Sequence, residues 1–183
     1  MRMLASALLL ATAAPTLAAE VSGVKVPESV VVDGMALQLN GAGVRKRFIV
    51  KVYVGALYLP KRMSDPAAIV ALDQPKSVRM FFLRGVDRSS MFGAIRDGFE
   101  SNSKAQLAEL EPKLKLLEEG LPPEVKEGQV VQVDYAPGRG STVGVEGGKA
   151  VTIDGKTFGD ALFRVWLGED PVDGGLKDGM LGK

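Results

Sequence analysis

Residues 40–60 read NGAGVRKRFIVKVYVGALYLP. Two glycines, Gly41 and Gly43, lead into three consecutive cations, Arg45, Lys46 and Arg47. These open onto a run rich in Val, Ile, Phe and Tyr that carries Tyr53 and Tyr58. β-Branched and aromatic residues suit a pleated, half-buried surface, so the run is strand material. Residues 44–59 are too long for one ordinary strand, and a bend or turn is expected inside them. Fixed positive charge beside an apolar strand surface is what an amphipathic anion needs. A guanidinium takes the negative head and the strand face takes the apolar remainder.

Outward from this block, strands and helices fall into separate groups. Residues 30–32 and 35–39 read as two strands across an Asp33-Gly34 turn. Residues 65–72 read as a short helix, with Asp65 as N-cap and Pro66 at the first helical position. Residues 77–83 are a further strand. A helix is expected to begin near Asp87 or Ser89, with Phe92, Ile95 and Phe99 on one face. A second helix follows through Leu107, Leu110, Leu114 and Leu117, which Pro112 should kink or divide. Strands return at 129–135, 141–146 and 150–153, and a closing helix is expected over 160–167 with Gly168 as its C-terminal cap. Grouped strands with segregated helices indicate an α+β fold, an antiparallel sheet covered by helices on one face.

Composition narrows the chemistry. The chain has 183 residues, 46% hydrophobic and 25% charged, with net charge +1. That length suits one domain, and the near-neutral balance offers no electrostatic ground for a nucleic-acid partner. The first 19 residues read as an export signal: Arg2, an apolar stretch over 4–14, and small residues for cleavage after Ala18 or Ala19. The expected organisation is a signal over 1–19 and a single domain over 20–183, exported to a bacterial periplasm or secreted. No later segment is long and apolar enough to span a membrane. There is no histidine and no cysteine. Ser-His-Asp and Cys-His chemistry, nitrogen or sulfur metal ligation, disulfides and a lipoprotein anchor are therefore excluded. The acids are scattered, without a calcium-loop pattern, so no metal and no cofactor is expected.

Residues 41–59 carry the pattern GAGVR…K-x-x-x-x-x-x-YL, which resembles the core of chalcone isomerase-like proteins, a group of isomerases and fatty-acid-binding relatives. The likeness runs from about residue 30 to about 181 and implies their open-faced β-sandwich. It implies that Arg45 points into a ligand cleft and that Tyr53 stands where true isomerases carry a catalytic threonine. Fatty-acid-binding members place a tyrosine there, paired with the arginine on a carboxylate. By itself the cluster Arg45-Lys46-Arg47 reads equally as a solvated hairpin end, and Tyr53 as a core aromatic. Lys46 and Arg47 remain with the first of these readings.

The chain also departs from the isomerase pattern. True isomerases carry a tyrosine, a lysine and an asparagine on the segment corresponding to 83–95, which here has none of the three. Their late helix offers a hydroxyl near its end, whereas Arg164-Val165-Trp166-Leu167 has none. The expectation is therefore a binding protein without catalytic residues. It would hold a fatty acid or another apolar carboxylate between sheet and helices, with Arg45 and Tyr53 on the head and side chains of residues 92–117 around the tail. The alternative is an intramolecular lyase or isomerase acting on a chalcone-like or enone substrate. The oligomeric state is not written in the chain. On one straight strand, Arg45 and Tyr53 would lie about 26 Å apart. A shared carboxylate therefore demands a reversal between them, in a turn without glycine.

Overall fold

The computed structural model of the protein describes residues 17–183. The expected export signal lies outside them except for its last three residues. In chain order the elements are β1 (Leu17–Val21), β2 (Val24–Pro27), β3 (Ser29–Val32), β4 (Met35–Arg47), β5 (Val50–Leu59), α1 (Pro66–Ala71), β6 (Lys76–Phe82), β7 (Val86–Asp87) and α2 (Arg88–Asn102). A single 3₁₀ turn, Lys104–Gln106, leads into α3 (Leu107–Gly120). Then come β8 (Glu124–Val125), β9 (Val130–Ala136), β10 (Gly140–Val145), β11 (Ala150–Ile153), α4 (Lys156–Leu167) and α5 (Gly174–Met180).

Seven strands form one antiparallel sheet in the order β11-β10-β9-β6-β5-β4-β3. Its two faces bury different sets of side chains. Tyr53, Leu57 and Leu59 of β5 join the large core beneath the helices, while Val54, Ala56 and Tyr58 join a second cluster on the opposite face. The β1–β2 hairpin contributes Val21, Val24 and Val26 to that second cluster, and the Tyr58 hydroxyl donates to the Pro27 carbonyl at 3.0 Å. The central strand is thus buried on both sides, which explains its near-continuous apolar sequence. The sheet also curls. Arg139, in the β9–β10 turn, reaches Asp33, in the β3–β4 turn, at 3.2 Å. This is the α+β open-faced β-sandwich expected from the sequence, with helices packed on one side.

Local signals match their elements. The Asp65 carboxylate accepts from the Ala67 amide at 2.9 Å and opens α1. Asp87 caps α2 through the Ser90 amide at 2.8 Å. The Asp33-Gly34 turn has both residues at positive φ, 50° and 79°, as a tight hairpin turn requires. The division expected at Pro112 does not occur, and α3 runs unbroken over it. Proline forfeits one backbone hydrogen bond. Leu110, Leu114 and Leu117, buried on both sides of it, hold the helix against the core regardless.

α5 carries three glycines in seven residues, a composition that opposes helix. Tertiary contacts override that preference. The Asp173 carboxylate caps the helix by accepting from the Leu176 amide at 2.8 Å, and its other oxygen accepts from the Lys46 amide of β4 at 2.9 Å. Leu176 and Met180 are fully buried. The helix backbone lies directly on the glycines of β4: a Cβ at Gly41 would overlap the carbonyl oxygens of Gly179 and Met180, and one at Gly43 would come within 2.9 Å of the Leu176 carbonyl oxygen. The glycine-rich stretch before Arg45 is therefore a seat for the last helix. Gly43→Ala is expected to lower stability by about 1–3 kcal/mol through forced displacement of α5. An unchanged thermal midpoint for that variant would show that the helix has room to move away.

Candidate ligand-binding site

The reversal that the pair needs is present. β4 and β5 form a hairpin whose tip is Phe48-Ile49, and Arg45 lies directly opposite Tyr53 across the ladder. The register shifts beyond that pair, leaving Val52 as the extra residue of a bulge before Lys46 meets Lys51. The turn dispenses with glycine by placing Phe48 itself at φ 57°.

Directly opposed residues of an antiparallel pair share a face, so Arg45 and Tyr53 both look toward the helical layer. The guanidinium carbon of Arg45 lies 5.7 Å from the centroid of the Tyr53 ring. Its Nε is buried and has no hydrogen-bond partner among the described residues. Nor does Arg45 take part in any of the ion pairs among them. The nearby Asp173 carboxylate is engaged by the Lys46 and Leu176 amides.

Tyr53 is 5% exposed. Its hydroxyl oxygen accepts from Trp166 Nε1 at 2.9 Å, and its ring centroid lies 5.4 Å from that of Phe82. Burial pushes the phenol up to about 12, against the opposing pull of Arg45 and of the Trp166 hydrogen bond. The phenol therefore keeps its proton throughout the neutral range. Since the oxygen already accepts from the indole, its remaining capacity is as a donor.

Arg45 and Tyr53 border an apolar hollow between sheet and helices. Val52, Met80 and Phe82 form its sheet wall, Met91, Ala94 and Ile95 of α2 its roof, and Val165 and Trp166 of α4 its back. Val86 and Val172 complete the lining. The hollow holds only about 30 Å³, room for one or two waters. At Arg45 it meets an open cleft of about 930 Å³ that runs between the hairpin tip and the start of α2, past Lys46, Arg47, Phe48, Arg84 and Asp87. Arg45 thus stands at the neck between an apolar interior and a polar exterior.

The structure redistributes some expectations. α2 supplies the roof, but Leu110, Leu114 and Leu117 of α3 pack elsewhere in the core and do not line the hollow. Phe82 lines it, whereas its neighbour Phe81 packs with the opposite cluster. Trp166, which reads from the sequence as plain core, is the hydrogen-bond partner of Tyr53. Its contact spans 113 positions of chain, beyond the reach of any local spacing. The segment into α2 offers Asp87, Ser89 and Ser90, but both hydroxyls donate to Asp87, at 2.6 and 2.9 Å. No group of three or more potential metal-ligating side chains occurs among the described residues.

Trp166 is the single tryptophan of the chain, so the tryptophan emission comes from the indole that donates to Tyr53. Tyr53→Phe should shift that emission and cost about 1–3 kcal/mol, because a buried indole N–H loses its acceptor. A phenol raised in the folded state stabilises fully below its unfolded pKa near 10, and that contribution is lost as pH rises through about 12. Chemical denaturation at stepped pH should show part of the alkaline loss above pH 10 disappearing in Tyr53→Phe.

No curated protein matches this chain. Among solved structures, a fatty-acid binding protein of Arabidopsis thaliana superposes with a TM-score of 0.62 at 15% identity, covering 84% of this chain and 96% of that one. At that identity the likeness is one of fold. The sequence itself matches the chalcone isomerase-like family over residues 18–182. The match takes in the glycine seat, the Arg45–Tyr53 pair and the closing helices, and the chain belongs to the chalcone isomerase-like family.

Proposed function

We propose that this protein binds a fatty acid or a similar apolar carboxylate, with the head at Arg45 and the tail in the hollow behind it. The observation that carries the reading is the half-buried Arg45 guanidinium, whose Nε is buried without a partner, facing an apolar interior. A guanidinium in that position is satisfied by a carboxylate, through short charge-assisted bonds. The Tyr53 hydroxyl adds a neutral donor on the same face. The fatty-acid binding protein of Arabidopsis thaliana with the same fold supports the ligand class.

The tail requires the hollow to open. Sites for ligands of this size run to about 300–1,000 Å³, and the enclosed space is about 30 Å³. Met80 lines it from the sheet and Met91 from α2. Methionine, with three rotatable bonds, yields more readily than a branched side chain. Isomerisation of a chalcone is disfavoured, since ordered donors at the ketone oxygen are needed. The hydroxyls at the start of α2 are committed to Asp87. We further propose export to the periplasm, on the strength of the N-terminal sequence alone.

Calorimetric titration with dodecanoate should show Arg45→Ala weakening binding by about 10- to 100-fold, the loss of one charged hydrogen-bonding partner, while the fold persists. Met91→Trp should block the tail while leaving the guanidinium intact. Wild-type affinity should stay flat from pH 6 to 9 and fall only below about pH 5, where the ligand's carboxylate protonates. Equal affinity for wild type and Arg45→Ala would defeat the reading. On naringenin chalcone, the rate with protein should equal the spontaneous rate. The mass of protein recovered from cells should correspond to a chain starting at Ala19 or Glu20, and retention of residues 1–18 would refute export by cleavage.

A further inference from the structure

The tip of the β4–β5 hairpin stands out from the rest of the described residues. Phe48 is 93% exposed, Ile49 94% and Val50 40%. The other exposed large hydrophobics among the described residues, Val31, Met35 and Leu116, include no two neighbours in sequence, and scattered residues of that kind are ordinary. Phe48 also holds φ 57°, a left-handed conformation that glycine or asparagine adopts cheaply and a bulky side chain does not. Strain and apolar exposure thus coincide at one residue, and nothing inside the fold offsets either.

The flanks of this tip are cationic. Lys46, Arg47 and Lys51 are exposed on the two strands, and Arg84 is exposed on the bend across the cleft. None of the four takes part in an ion pair among the described residues. The chain as a whole carries only +1; the far wall of the cleft sets Asp87 and Asp97 beside Arg84, whereas residues 45–61 contain no acid. An apolar point flanked on both of its strands by cations matches the boundary of an anionic bilayer, where apolar side chains sink and basic ones meet headgroups. A protein partner fits less well. Stable protein interfaces cover about 800 Å² per side, and three apolar residues at a hairpin end fall far short of that.

We propose that the Phe48-Ile49 tip docks the protein on anionic membrane surfaces, with Lys46, Arg47 and Lys51 on the headgroups. Phe48 and Val50 are themselves part of the cleft wall that leads to Arg45. Docking therefore turns the cleft mouth to the bilayer, and an apolar carboxylate passes to Arg45 without crossing bulk water. That transfer role rests on the carboxylate reading above; the docking does not.

The test is co-sedimentation with phosphatidylcholine vesicles, with and without roughly one-third phosphatidylglycerol, alongside octanoate titration of the same proteins. Wild type should pellet with the anionic vesicles, less with the neutral ones, and less as salt rises. The double variant Phe48→Ser/Ile49→Ser should lose about tenfold or more in vesicle affinity, and Lys46→Glu/Arg47→Glu should lose the anionic preference. Both should melt as wild type does. Wild type failing to pellet, or the serine variant pelleting equally, overturns the proposal. So does a wild-type dimer in size-exclusion chromatography that the serine variant converts to monomer, which would make the tip a contact between copies. Vesicle binding without octanoate binding by any variant supports docking and removes the carboxylate reading.

Discussion

Everything at the site depends on the register of β4 against β5. Five consecutive pairs, from Gly41↔Leu57 to Arg45↔Tyr53, lie between two irregularities, one at Asn40 and one at Val52. Asn40, the extra residue of the first, is 7% exposed and fully used. Its amide donates to the carbonyls of Met180 at 2.8 Å and Met63 at 3.0 Å, and its oxygen accepts from the Met63 amide at 2.8 Å. A slip of one residue would turn every side chain of the strand to the other face. It would orphan that amide, set side chains under α5 in place of glycines, and carry Tyr53 away from Trp166. The Arg45–Tyr53 pair is thus held in place by contacts of the fold itself.

Buried charge in this fold takes two forms. Lys76 is fully buried, yet its ammonium donates to the Ile69, Val70 and Leu72 carbonyls at 3.2, 2.6 and 2.9 Å. Asp160 lies 3.8 Å away, and the Tyr135 and Phe163 rings flank it at 5.0 Å each. Burial draws its pKa down to about 8, with Asp160 opposing. On the opposite sheet face, Arg79 is 4% exposed, 2.6 Å from Asp134 and 3.0 Å from Glu146. Each of these cations has a carboxylate within reach and the role of a fastener. Arg45 forms no ion pair among the described residues, the neighbouring Asp173 carboxylate being taken by two backbone amides, and a partly buried charge left unpaired is costly. That contrast within one sheet separates Arg45 from the structural cations.

β-Branched and aromatic composition and turn chemistry were enough to place most strands of the main sheet, while β1 and β2 went unread. The Asp33-Gly34 turn, the Asp65-Pro66 start of α1 and the strands from β9 to β11 rest on local rules that the fold obeys. α5 was illegible because its glycines oppose helix locally and are tolerated only against the glycines of β4. Lys76 and Arg79 were illegible as buried charges, since alternation tells which face a residue takes and not what covers that face. At the site, the need for a reversal between Arg45 and Tyr53 followed from strand rise alone, while the partner at Trp166 required knowing how α4 lies on the sheet. The glycine-free turn looked like an objection. Phe48 at positive φ answers it and makes the tip a feature in its own right.

The smallness of the hollow sets the energetics of binding. Each methylene buried contributes about 0.8 kcal/mol, so a ten-methylene tail contributes about 8 kcal/mol before costs. Association itself costs at least about 4 kcal/mol. Opening the hollow adds to that, and apparent affinity falls with the fraction of molecules already open. A tail alone would therefore bind weakly. The proposed carboxylate contact at Arg45 differs, because the guanidinium Nε is already buried and part of its dehydration cost lies in the fold before any ligand arrives. Head-group recognition should accordingly dominate discrimination, with tail length a graded second effect. A site arranged in this way favours an apolar carboxylate over an alcohol or ester of the same length, whatever the exact shape of the chain behind it.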